Sequence, residues 1–283
     1  LEIYNDYLIC DFDGNENGLF IKVAIQDKGF NDVFDSVSDF WVGAQVNLLN
    51  IEIDNEEVYH PRFLILEPDY LLDVSAIAEC FQDYGNSEFQ YLKSKFEEVP
   101  NNKYIRLGNF ANLVVDELFA NKNRGAITFK HTFEKDFKAY PFEYTVCKDL
   151  NGRDDFVKYW RDCELHFERI KRVVDRELVS CGIDIEKAVL EPSFLSGIFG
   201  IQGRLDILEL KDNGNSKIIE LKSGGVPFPD DGKSIKPNHR SQLYLYYQLV
   251  GVLNNLDFSE ISESTEGYIL YSKVDRNNLR FDK

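Results

Sequence analysis

The amino-acid sequence predicts an α+β fold, and three observations predict it. β-prone segments crowd residues 1–70, helical periodicity takes over from Ser75, and strands return after Gly182 around one further helix. With 283 residues the chain is long enough for one large domain or two modest ones. The change of pattern sets the boundary: an acidic, β-rich, barrel-like lobe over 1–72, then a second domain over 73–283.

In the lobe, LEIYNDYLICDF, GLFIKVAIQD, AQVNLLNIEID and PRFLILEP read as strands, several with period-2 alternation. Asp13-Gly14-Asn15 and Asp54-Asn55 supply turns between them. Ser75 is placed to cap a helix through Ala76–Phe81, with further helices near Ser87–Phe96 and Phe110–Ala120. The clearest helix covers 153–180, where Phe156, Trp160, Cys163, Phe167, Ile170, Val174 and Leu178 recur at steps of three and four. Its other faces carry Arg153, Lys158, Arg161, Arg169, Lys171, Arg172 and Arg176, either a solvated surface or a phosphate-tracking face. KAVLEPSF, FGIQGRLDILEL and SKIIELKS then read as strands, the last two joined as a hairpin through Asp212-Asn213-Gly214-Asn215. A Gly/Pro-rich loop over 224–237 leads to the helix RSQLYLYYQLVGVLN and a strand at EGYILYSK.

Hydrophobic residues make up 43% and charged residues 29%, an ordinary globular composition. The apolar runs are too short and too often broken by charge to span a membrane. Acids stand where a signal peptide needs a basic region, so the cytoplasm is the expected location. The five cysteines, Cys10, Cys80, Cys147, Cys163 and Cys181, form no CxxC and read as reduced thiols. No GxxxxGK[ST] occurs, so the chain holds no P-loop motor. Net charge is −17, but residues 1–100 hold 21 acids against 5 bases while 101–283 hold 28 against 27. The acidity is an N-terminal property, and the rest leaves room for phosphate-binding patches.

Gly203-Arg204-Leu205-Asp206 precedes Ile219-Glu220-Leu221-Lys222 across the proposed hairpin. Period 2 puts Glu220 and Lys222 on one face. Two carboxylates converging at a sheet edge offer hard oxygens to Mg²⁺ or Mn²⁺, and a nearby lysine can hold a water or a phosphate oxygen. Such a set suits phosphodiester hydrolysis. Gln242 and Tyr246, four apart, share a helix face. Each motif alone reads as a solvated hairpin or an aromatic helix; the ordered combination carries the signal.

That ordered set resembles the RecB-type branch of PD-(D/E)XK nucleases, whose members show GxxD, an (D/E)xK strand and QxxxY on a helix. Glu191 in VLEPSF stands where the family has an upstream acid. The phrase LEPSFLSGIFGIQGRLDILEL looks like the nuclease domain of the replication helicase–nucleases that process Okazaki flaps; CRISPR-associated RecB-like exonucleases and AddB nucleases are similar more distantly. The resemblance implies a restriction-endonuclease-like core, a central mixed sheet flanked by helices, and a metal-dependent deoxyribonuclease acting on single-stranded or flapped DNA. It implies Asp206 and Glu220 as metal ligands, Asp116 as the third, the Leu221 backbone carbonyl completing the shell, and Lys222 beside the attacking water. Gln242 and Tyr246 would position DNA, and Glu191 would be accessory. Tyr244, Tyr247 and Phe228 are candidates for stacking bases.

Two departures from the family stand out. LGNFANLVVDELF looks like the helix that usually reads VHE, with Asp116 at the histidine position and Asn112 competing for it. Cys80 falls on the family's first cluster cysteine, but no cysteine follows Cys181, so an iron–sulfur cluster is not expected in this chain. The alternative reading is a catalytically inactive DNA-binding or scaffolding module that partners a helicase. A third, compatible with the first, is a nuclease domain belonging to a longer helicase–nuclease, suggested by the start at Leu1 and the end soon after the last strand.

Overall fold

The computed structural model describes residues 2–3, 7–11, 20–25, 40–98, 100–211, 215–253 and 264–282. The turns expected at Asp13-Gly14-Asn15 and at 212–214 lie outside them. The chain forms two compact units, Leu1–Leu72 with Leu195–Gln202, and Asp73–Phe194 with Gly203–Lys283. The segment 195–202 groups with the N-terminal residues because Asn47 Nδ2 donates to the Gly197 and Ile198 carbonyls and Leu72 N–H donates to Gly200 O.

The first unit is a five-stranded sheet built from β1 (Glu2–Ile3), β2 (Tyr7–Asp11), β3 (Phe20–Ala24), β4 (Val46–Ile53) and β5 (Val58–Leu66), in the order β1-β2-β3-β5-β4. Alternation explains it: Leu8, Cys10, Ile21 and Val23 point inward and form a small core with Ile25 and Phe40. Asp54 closes the β4–β5 hairpin, its Oδ1 accepting from the Glu56 and Val58 N–H groups.

Asp73 ends β6 (Leu72–Asp73) and caps α1 (Val74–Ala78), its Oδ1 accepting from Ala76 N–H at 3.0 Å. The cap is therefore Asp73 and not Ser75, which leaves the Ser75 hydroxyl for other work. A short hairpin, β7 (Phe81–Gln82) with β8 (Gly85–Asn86), precedes α2 (Phe89–Phe96). The next helix, α3 (Lys103–Ala120), starts two turns earlier than its apolar periodicity suggests, because Asn102 caps it through Tyr104 and Ile105 N–H. Two helices that the periodicity does not single out follow, α4 (Phe129–Ala139), capped by Thr128, and α5 (Pro141–Val146).

The long helix α6 (Arg153–Arg172) continues through a π-helical turn at Val173–Glu177 into α7 (Leu178–Ser180). Its apolar stripe faces the core as expected. Of its cations, Arg153, Lys158, Arg161 and Arg176 are exposed, and the other three turn to the protein's own chain. Arg169 Nη1 donates to Lys273 O at 2.6 Å, Lys171 Nζ to the Arg124 and Ile127 carbonyls, and Arg172 to Asp275 O and Asn278 Oδ1. These three tie the helix to loop carbonyls of the protein's own chain.

The second unit's main sheet uses β9 (Ala188–Leu190), β12 (Ile207–Leu210), β13 (Ser216–Lys222), β14 (Thr265–Tyr271) and β15 (Leu279–Asp282), in the order β15-β14-β13-β12-β9; β10 (Ser193–Ser196) and β11 (Ile201–Arg204) come between β9 and β12 in the chain. The sheet is mixed: β13 and β14 run parallel, the other pairs antiparallel. A parallel pair needs a crossover, and α8 (Pro237–Leu253) is that crossover. One face, through Ile207, Ile219, Leu221, Tyr268 and Leu270, shares a core with α3, α4 and α6. The other meets α8, where a Cβ on Gly267 would lie 2.1 Å from Tyr247 Oη, so only glycine admits that ring. The architecture is thus α+β, with a mixed sheet flanked by helices.

Candidate active site

The register builds the site. Leu190, Ile207 and Ile219 align across β9, β12 and β13. One residue outward, the same row holds Glu191, Asp206 and Glu220, and Glu191 N–H donates to the Asp206 carbonyl at 2.9 Å. Residues directly opposite in an antiparallel sheet share a face. Asp206 and Glu220 therefore stand side by side where the strands end, with Glu191 next along the row. Gly203 is what lets α1 and α8 close on this edge, since a Cβ there would meet Tyr246 Cε1 and Val74 Cβ at 3.0 Å.

Glu220 is buried at 4% exposure. Its Oε1 accepts from Lys222 Nζ at 3.0 Å and from Gln242 Nε2 at 2.6 Å, while Lys222 Nζ also donates to Gln242 Oε1 at 2.7 Å. The three side chains form a closed triangle. Gln242 Nε2 reaches Ser75 Oγ as well, at 3.3 Å. Glu220 Oε2 is buried and has no hydrogen-bond partner among the described residues. Asp206 Oδ2 accepts from Leu221 N–H at 2.6 Å, which locks the first carboxylate to the backbone between Glu220 and Lys222. Burial first, and then the Glu220 charge, push the Asp206 pKa upward against the pull of Lys222 and that N–H. The pair is short of positive charge.

Tyr246 is fully buried, and its hydroxyl donates to Arg204 O at 2.7 Å. It pins the chain two residues before Asp206. Gln242, at 4% exposure, is similarly occupied. Gln242 thus holds the Glu220 carboxylate and Tyr246 the backbone that leads to Asp206. Of the aromatic candidates, Phe228 is 97% exposed and Tyr244 46%, while Tyr247 packs on Gly267.

Asp116 stands half-buried on α3. Burial and the Glu191 carboxylate raise its pKa, with Lys135 opposing. Its neighbour Glu117 pairs with Lys135. Glu191, in left-handed backbone at φ 47°, pairs with Arg204 at 3.4 Å. On the same stripe of α3, a Cβ at Gly108 would sit 3.3 Å from Ser223 Oγ, just past Lys222, and Asn112 lies between Gly108 and Asp116. Among the described residues no three His, Cys, Asp or Glu side chains converge closely enough to hold a metal ion. Asp206 and Glu220 are brought together; Asp116 and Glu191 stand nearby without joining them. Cys80 is a free thiol, as are the other four cysteines.

Sequence reasoning missed Ser75 in this role, because its N-cap position offered a simpler use. It also missed His239, one turn before Gln242 on α8, whose Nδ1 lies 2.8 Å from Tyr271 Oη. No helix among the described residues is long and apolar enough to cross a membrane. A scan against protein-family models finds no match to this chain, and a search of curated proteins finds none.

Proposed function

We propose that the chain is a divalent-metal-dependent deoxyribonuclease of the PD-(D/E)XK class, with a restriction-endonuclease-like core, acting on single-stranded or flapped DNA as part of a helicase–nuclease. The observation that carries this reading is the Asp206–Glu220 pair at adjacent strand ends, with Lys222 tied to Glu220 and Gln242. The donor set fits Mg²⁺ or Mn²⁺. It offers hard carboxylate oxygens, one of them the orphaned Glu220 Oε2, at a place where negative charge is in excess. Asp206 and Glu220 would hold the ion, with the Leu221 carbonyl and Asp116 as further oxygens. A dication bound there supplies Lewis-acid activation of the phosphoryl group and of the attacking water.

The chain's own residues do the rest. Glu220 and Gln242 fix the Lys222 ammonium, and two acceptors leave it a third N–H for a water or a phosphate oxygen. The Leu221 N–H holds Asp206 in place, and Tyr246 holds the backbone that carries it. Cleavage of end-labelled single-stranded DNA in Mn²⁺ tests the reading. Wild type should give a product ladder, and Asp206→Ala and Lys222→Ala should not; equal rates in all three would sink it.

One observation favours a second reading, a DNA-binding scaffold without catalysis: among the described residues no third acid joins the pair. Calorimetric titration with Mn²⁺ separates the two. An enzyme binds the ion through Asp206 and Glu220, so Asp206→Asn with Glu220→Gln abolishes the heat; a scaffold binds none through these residues.

A further inference from the structure

Parallel pairing sets Lys222 and Tyr271 side by side on β13 and β14. Tyr271 Oη lies 3.2 Å from Lys236 N and 2.8 Å from His239 Nδ1. A backbone N–H can only donate, so Oη accepts from Lys236. Among the described residues no other acceptor is bonded to Oη, and the phenolic proton therefore goes to His239 Nδ1. That assigns the tautomer: Nδ1 accepts and Nε2 carries the hydrogen. No described residue bonds to Nε2. The imidazole is half-buried, and it stands one helical turn before Gln242, which touches Lys222.

We infer that the Nε2–H of His239 is a contact for a non-bridging phosphate oxygen of the nucleic-acid strand bound at this site. The inference rests on the nuclease reading and adds a substrate-binding residue to it. A neutral imidazole suits the task. Burial, followed by the Lys222 and Lys236 charges, holds the His239 pKa down at about 3, so the ring stays uncharged beside Lys222 and serves as a fixed donor. Tyr271 makes the donor rigid by clamping the far side of the ring, with the two ring centroids 5.5 Å apart. Lys222 and His239 then offer two donors of different charge to neighbouring oxygens of one backbone.

Two conservative substitutions separate contact from scaffolding. In His239→Asn the amide oxygen takes the place of Nδ1 and keeps the Tyr271 bond but loses the distal donor. In His239→Gln the amide nitrogen takes the place of Nε2 and keeps the donor. KM and kcat are measured on single-stranded DNA in Mn²⁺, and affinity on fluorescein-labelled oligodeoxythymidylate in Ca²⁺. The expected result is KM and Kd raised about tenfold in His239→Asn, within about threefold of wild type in His239→Gln, and kcat little changed in either. The reverse order, with Asn restoring and Gln failing, assigns His239 a structural role and overturns the proposal while nuclease activity stands. Binding in the expected order by a protein that cleaves nothing keeps the contact and removes the nuclease reading. Neither cleavage nor binding by wild type removes both.

Discussion

Two rows of charge cross the same sheet and are built to opposite ends. At one end, on the face toward α8, Asp206 and Glu220 stand side by side, like charges with Glu191 next in the row. At the other end, on the opposite face, the register aligns Glu209, Lys217 and Glu266, whose signs alternate. There Lys217 Nζ pairs with Glu266 at 2.9 Å and donates to Cys181 O at 2.6 Å, and Glu209 Oε1 accepts from Asp184 N–H. Against its burial, the Glu266 pKa is held down by Lys217 and the Tyr268 hydroxyl, whereas that of Asp206 is pushed up. Both rows contain a buried carboxylate oxygen with no hydrogen-bond partner among the described residues, on Glu209 and on Glu220. Only the alternating row sets a cation directly between its acids. The lesson is that one sheet can hold a balanced row that serves stability and an unbalanced one that costs stability, a cost the proposed nuclease chemistry would explain.

The comparison breaks most sharply at the unbalanced row. Glu220→Gln keeps the shape and removes the charge, and should lower DNA cleavage on the order of 10³-fold or more in a gel assay. Folding, followed by circular dichroism, should survive. The matching change in the balanced row is Lys217→Met. It leaves the 2%-exposed Glu209 without its facing cation and should cost about 2–4 kcal/mol in urea unfolding, with cleavage per folded molecule unchanged. A stability loss at Glu220 as large as that at Lys217 would erase the distinction.

The unbalanced row also predicts the sign of a pH effect. A carboxylate whose pKa is raised by folding holds its proton more tightly in the folded state. Folding is therefore favoured at low pH and loses that contribution as pH climbs from the ordinary value, 3.8, through the raised one. Without metal, Asp206→Asn should melt about 3 °C or more above wild type at pH 8 and converge with it in acid. A lower Tm than wild type at pH 8 would show that Asp206 contributes more as an anion than its burial costs. Added Mn²⁺ should raise the Tm of wild type and not of the variant.

What the sequence could show of this site follows from where each partner lies. Glu220 and Lys222 are two apart on one strand and Gln242 and Tyr246 four apart on one helix, so local periodicity alone exposes them. Asp206 is visible because its strand pairs across a short turn. Ser75 is 167 residues from Gln242 and His239 is 32 from Tyr271, and neither spacing leaves a mark in the chain. The cations of α6 teach the same point: read locally they form a basic face, but Arg169 and Arg172 meet their carbonyls about a hundred residues downstream. The α+β class was legible because alternation and 3.6-residue periodicity occupy separate stretches. The start of α3 was not, because a single Asn102 side chain decides it over two turns that lack an apolar stripe.

Ser75 gives the finest probe of how the unbalanced row is held. Its hydroxyl meets Gln242 Nε2 at 3.3 Å, the longest bond in the network, and the same nitrogen already donates to Glu220 at 2.6 Å. Removing it by Ser75→Ala leaves the triangle closed but frees one side of the amide. A neutral hydrogen bond of this kind contributes about 0.5–1.5 kcal/mol, so cleavage should fall about two- to tenfold. If the hydroxyl acts only by orienting Gln242, then Ser75→Ala should have no further effect in a Gln242→Ala background, a non-additivity that a double-mutant cycle measures directly. Additive losses would mean that Ser75 reaches the substrate or the metal shell by another route, and that the row is held by Glu220, Lys222 and Gln242 alone.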